Sequence, residues 1–148
     1  MSLDTNYKNK LEINTTPAAT ETWSQINKGF SNIAEALNEV IHQAAYIGDD
    51  GWGSSEVTGG QMTFTLTGVR EVGDEAQDYI FGDDVKYAFG EARKTQIKIT
   101  RPDASTIEWD ITLANITESG GDANAAKAVS VTIHGNGAPT LTDPPVGP

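Results

Sequence analysis

Two histidines, a few carboxylates in a glycine-rich loop and three tryptophans are the residues of this chain with chemistry to offer. His42 and His134 lie in different segments and in no HExxH-like ligand spacing, so they predict no metal centre. His134 falls on the polar side of an alternating run, where a solvated histidine is the plain account. In "GDDGWGSSE", Asp49, Asp50 and Glu56 offer oxygens to a hard cation, but without the alternating spacing that wraps carboxylates around calcium. "GWGSS" is not the G-x-S-x-G nucleophile turn, and no glycine-rich stretch has phosphate-cradling spacing with its lysine. Glu108 and Asp110 share one face of an alternating run about 7 Å apart, as exposed strand carboxylates commonly do. No cysteine is present, which excludes disulfides, thiolate metal sites and a thiol nucleophile. The expectation is a protein that is not an enzyme and carries no cofactor.

The tryptophans divide by context. Trp109 alternates with Ile107 and Ile111 and belongs in a core. Trp52 sits in "YIGDDGWGSSEVTGG", residues 46–60, with no apolar neighbour at strand spacing. It is either an anchor for a partner or a ring folded back over its own domain.

The elements that position these residues are mostly strands. "QMTFTLTGV" alternates, with Met62, Phe64 and Leu66 on one side and Gln61, Thr63, Thr65 and Thr67 on the other. "TQIKIT", "TIEWDITLANI" and "AVSVTIHG" repeat that period, and "RPDAS" between the first two predicts a turn joining an antiparallel hairpin. The polar "TESGGDANAAK" reads as an exposed loop. One short helix is expected over about 74–81, with Asp74 as its cap, Gln77 in capping-box position, Ala76, Tyr79 and Ile80 on one face, and Gly82 closing it. Residues 26–45 are ambiguous. Ile26, Phe30, Ile33, Leu37, Ile41 and Ala45 recur at helical spacing, while Gly29, Asn38 and a break near "ALNE" allow strand, turn, strand.

At 148 residues the chain predicts one globular domain, divided here into an N-terminal arm over 1–20, a β domain over 21–137 and a proline-rich tail over 138–148 without regular structure. No apolar run has the length of a signal peptide or membrane helix, so a soluble cytoplasmic chain without membrane contact is expected. The net charge of −11 argues against a grip on nucleic acid.

Taken together, "NEVIHQAAYIGDDGWGSSEVTGGQMTFTLTGVREVGDEAQDYIFG", "FGEARKTQIKITRPDASTIEWDITLANITESGGDANA" and "VSVTIHGNGAPT" resemble the major tail tube protein of long, non-contractile-tailed bacteriophages. The likeness spans roughly residues 36–140, with "GDEAQDYIFG", "GEARKT" and "ESGGDANA" its most telling pieces. It implies a mainly β fold, an antiparallel β-sandwich or barrel flanked by one short α-helix. Subunits of the family assemble into hexameric rings that stack as a tube around passing DNA, in the tail of the virion, after assembly in the host cytoplasm. The resemblance also implies tape measure and tail terminator proteins as partners. It makes the 47–59 loop an inter-subunit element, with Asp49, Asp50, Trp52, Ser54, Ser55 and Glu56 as candidates, and it makes the segment of Asp74, Gln77, Tyr79 and Ile80 the flanking helix. It favours strands over a helix for residues 22–46. Acids facing the lumen would repel phosphates, and the polar faces of the "VTGGQMTFTLTG" strand and of the strand before the loop are the expected lining. The alternatives are a monomeric ligand- or carbohydrate-binding β-sandwich, a hydrolase with paired carboxylates, and a tail-completion factor of the same architecture.

Overall fold

In a computed structural model that describes residues 3–144, strands dominate as the alternating runs require. The strands are β1 Lys10–Asn14, β2 Trp23–Gln25, β3 Phe30–Ala36, β4 Val40–Ala44, β5 Ser54–Gly59, β6 Thr63–Val69, β7 Lys94–Thr100, β8 Thr106–Ser119, β9 Ala128–Gly135 and β10 Thr140–Thr142. Two short helices, α1 Glu75–Ile80 and α2 Asp83–Lys86, fall between β6 and β7. An antiparallel sheet runs β2-β1-β7-β8-β9-β6-β3, with β10 on β8, and folds over into sandwich-like layers without closing as a barrel. Among the described residues, β4 and β5 pair only with each other.

The inward residues of the alternating runs make the core: Ile97 on β7, Trp109, Ile111 and Leu113 on β8, Val131 and Ile133 on β9, and Phe64 and Leu66 on β6. Trp109 meets Phe64 edge to face at 5.5 Å, so this tryptophan is a core residue as its alternation predicted. The expected turn at 101–105 joins β7 and β8 as an antiparallel hairpin.

The ambiguous residues 26–45 are strands. Their helical spacing has a cause in the ladder, because the β3–β6 register shifts between Phe30 and Asn32. The extra residue turns the strand spacing of two into three, so Phe30 and Ile33 share a face with Leu66. A break at Leu37–Glu39, with Asn38 at φ 49°, then supplies the second apparent helical step.

Three expectations are corrected. Residues 10–14, placed in an N-terminal arm, form β1 inside the sheet, where "KLEIN" alternates and Ile13 is fully buried. The tail expected to hold no regular element contributes β10, because Pro139 and Pro144 flank three residues whose N–H groups remain free for an edge ladder; residues 145–148 lie outside those described. The single helix is two. Gly82 does not close α1 in a left-handed conformation but caps α2 at φ −67°, and a Cβ there would lie 2.7 Å from the Asp78 carbonyl oxygen.

Asp74 caps α1 as expected, its carboxylate accepting from the Gln77 N–H at 3.2 Å. Gln77 does not return the bond as a capping box would. Its buried side chain donates to the Lys28 and Val69 carbonyls, both at 2.9 Å, and accepts from the Glu71 N–H at 2.8 Å, fastening α1 across the ends of β3 and β6. Ile80 is fully buried and Tyr79 packs against the core at its margin, where burial pushes the phenol pKa up. Gln77→Met keeps the length of the side chain but orphans these buried groups, and should lower the unfolding free energy by about 3 kcal/mol in urea titrations.

α2 is tied to β8 through Lys86 and Glu118 at 2.8 Å, with Lys127 at 3.9 Å from the same carboxylate. The Lys86 hydrogen bond holds Glu118 below the usual glutamate range, and Glu118 holds Lys86 above the usual lysine range. The carboxylate's contribution to stability is therefore complete above about pH 4.3 and lost as pH falls through its lowered pKa; the ammonium's is complete below about pH 10.4 and lost as pH rises through its raised one. Glu118→Gln should flatten the acid limb of a thermal-stability profile measured between about pH 5 and 3.

Candidate assembly surface

β3 and β6 continue past Ala36 and Thr63 into β4 and β5, making one long bent hairpin whose outer half leaves the body. The bend is built locally. The Asn38 amide donates to the Gln61 carbonyl and the Thr63 hydroxyl, both at 3.1 Å, while the Gln61 N–H donates to the Leu37 carbonyl at 2.8 Å.

The tip is a short 3-10 turn, Ile47–Asp49, followed by Asp50 and Gly51 at φ 52° and 85°. Asp49 closes it: its carboxylate accepts from the Tyr46 N–H at 3.0 Å and its carbonyl accepts from the Trp52 N–H at 3.0 Å. The carboxylate that resembled a calcium ligand thus serves the turn. The loop is shorter than expected, because Ser54, Ser55 and Glu56 stand on β5 opposite Ala44, Gln43 and His42. Trp52 is 80% exposed, so it is not folded back over the domain.

This outer ribbon is exposed on both faces. Ile41 and Val57 pair across one face at more than half exposure, and Tyr46 and Ile47 stand open beside Trp52 at the tip. Surface aromatics and aliphatics gathered on a two-stranded ribbon mark a place for a partner, since such a hairpin is marginal in water by itself. Its charge is one-sided: residues 29–69 hold Glu35, Glu39, Asp49, Asp50 and Glu56 and no Lys or Arg. The outer face of β3 and β6, with Asn32, Ala34, Ala36, Thr63, Thr65 and Thr67, carries no charge.

A groove of about 840 Å³ opens where the sheet fails to close, between β3 and the β1–β2 end. Leu11, Ile99 and Ile107 floor one wall, and Phe30, Ile33 and Leu66 the other. The remaining candidates for chemistry stay dispersed. His42 faces Glu56 on the ribbon, while His134 lies on β9 between Thr63 and Thr112. Glu108 and Asp110 face Lys98 and Gln96 in a cross-strand ladder, Asp110 accepting from the Gln96 amide at 3.3 Å. Among the described residues no three His, Asp or Glu side chains gather as metal ligands, and no helix is long and apolar enough to cross a membrane.

No family model matches the chain. No curated protein matches it in sequence. Solved structures do share its fold. A chain from the tail of an empty gene transfer agent particle, solved with C6 symmetry, superposes with a TM-score of 0.67 at 16% identity, covering 95% of this chain and 99% of that one. The tube-terminating cap of the anti-feeding prophage gives 0.60 at 14% identity over 97% and 93%. A chain of the sheath-tube complex of an extracellular contractile injection system gives 0.55 at 13% identity over 95% and 92%. The fold defined here is therefore one seen in tails and tubes, contractile systems included.

Trp52 stands 80% exposed on a ribbon whose strands, among the described residues, pair only with each other, so Trp52→Ala should shift the unfolding free energy by less than about 0.5 kcal/mol, where Trp109→Ala costs about 3–5 kcal/mol; guanidinium titration of the two variants checks the contrast.

Proposed function

We propose that this chain is a structural subunit of a tail tube, joining copies of itself into rings that stack around a channel for DNA. The observation that carries this reading is the outer ribbon: an exposed pair of strands with Ile41 and Val57 on one face and, among the described residues, no further strand beside it, on a fold shared with tail and tube chains. Among the described residues β2 and β3 are the sheet's edge strands, which fits the same reading, since joining edges between subunits removes a liability that an isolated sheet carries. A ring of six follows the symmetry of the gene transfer agent tail.

The charge distribution suits a conduit. A channel lined by the uncharged outer face of β3 and β6, with ribbon carboxylates at its margins, offers phosphates no cation to hold. The protein acts as a wall rather than a catalyst and needs no cofactor. On the sequence resemblance, the setting proposed for it is a non-contractile phage tail, where it would meet a tape measure protein inside and a terminator at one end, assembled in the host cytoplasm and resident in the virion.

Electron microscopy across a concentration series, with light scattering, tests this. Tubes or rings with a central channel, the β3–β6 polar face lining it in a reconstruction, are the expected outcome. A chain that stays monomeric at every concentration and binds glycans or other small ligands would replace it with a binding module.

A further inference from the structure

Asn136 is the one asparagine of the chain that a glycine follows, in the loop "NGAP" between β9 and β10. That order matters chemically. The backbone nitrogen of the following residue can attack the asparagine side-chain carbonyl carbon, and a side chain on that residue obstructs the approach. Gly137 has none: it stands at φ 88°, with no described atom within 4 Å of where a Cβ would be. Asn38 and Asn115 also stand in left-handed turns, at φ 49° and 50°, but Glu39 and Ile116 follow them.

The fold holds Asn136 by two bonds. Its N–H donates to the Asp110 carbonyl at 2.7 Å, and its side-chain amide donates to the Thr112 hydroxyl at 2.8 Å. Neither engages the Gly137 nitrogen, whose N–H donates no hydrogen bond among the described residues. Both Asn136 and Gly137 are exposed, so water can replace the bond to Thr112 and free the side chain to turn.

We propose that Asn136 is a site of spontaneous deamidation, with water as the co-reactant. The Gly137 nitrogen loses its proton and bonds to Asn136 Cγ, the Cγ–Nδ2 bond breaks, and ammonia leaves from a closed succinimide ring. Water then opens the ring at Cγ to give aspartate, or at the main-chain carbonyl carbon of residue 136 to give isoaspartate, whose backbone runs through Cγ. Either product adds one negative charge to a chain of net charge −11. Its place is defined, because Thr63, His134 and Thr112 stand in register across β6, β9 and β8, and Asn136 is bonded to the last of them. The new carboxylate borders the uncharged outer face of β3 and β6, so that margin grows more acidic as the protein ages. The modification does not depend on the tube proposed above.

The folded full chain, held for days in mildly alkaline buffer and digested with trypsin, tests this by mass spectrometry. Cleavage after Lys127 releases residues 128–148, in which Asn136 carries the only side-chain amide. That peptide should gain the mass difference between an amide and an acid and split into two chromatographic products, while isoelectric focusing of the intact chain shows a new, more acidic band. Gly137→Ala, checked for folding by thermal unfolding, should lose most of the conversion over the same interval. A wild-type sample unfolded in guanidinium shows that the chemistry is detected. Conversion in that sample with none in the folded chain overturns the proposal, since the fold would then hold Asn136 away from Gly137. Equal rates for Gly137→Ala and wild type overturn it too, since access to the nitrogen of residue 137 would not be what selects the site.

Discussion

β8 hydrogen-bonds along its first half to β7 and along its second half to β9, and every other strand of the main sheet takes its place from that one shared strand. The two ladders overlap at Ile111 and Thr112, and a register shift between Ala114 and Thr117, with Asn115 at φ 50°, bends the strand within the β9 ladder. Beyond it the sheet turns over, so the β7–β1–β2 wing and the β9–β6–β3 wing enclose the core. A sheet bent about one long strand buries both inner faces without joining its ends. The seam left between β3 and the β1–β2 wing is therefore a product of the same bend that makes the core.

The parts of this architecture that were legible in the sequence are those where a strand has one buried face. Met62, Phe64 and Leu66, or Trp109, Ile111 and Leu113, repeat with period two because water lies on one side and core on the other. β3 was illegible to periodicity because one bulged residue rewrote its spacing, and only the resemblance to tail tube proteins pointed to strands there. β1 was missed although "KLEIN" alternates, since five residues next to a polar segment leave too little pattern to weigh. β10 was hidden by its flanking prolines.

At the candidate site, the sequence set Trp52 apart in a glycine-rich loop but left open whether its ring was exposed or folded back, and the structure shows it exposed. The ribbon's extent was not legible. Ser54–Gly59 carries Ser, Thr and Gly and a single apolar residue, Val57, because neither face meets a core that would impose alternation. A strand with no core against either face has no buried side to leave as a period in its sequence. The seam groove was likewise invisible, because its walls come from segments as far apart as Leu11 and Ile107.

The absence of lysine and arginine between Lys28 and Arg70 reaches beyond electrostatics. Trypsin has no bond to cut anywhere in that span, and amine-reactive cross-linkers have no amine to capture in it. The bent hairpin, outer ribbon included, would emerge from a tryptic digest as one long peptide whether it had been free or enclosed. To those two reagents the part of the molecule most exposed to its surroundings is silent, whereas carbodiimides, which activate carboxylates, find five handles there.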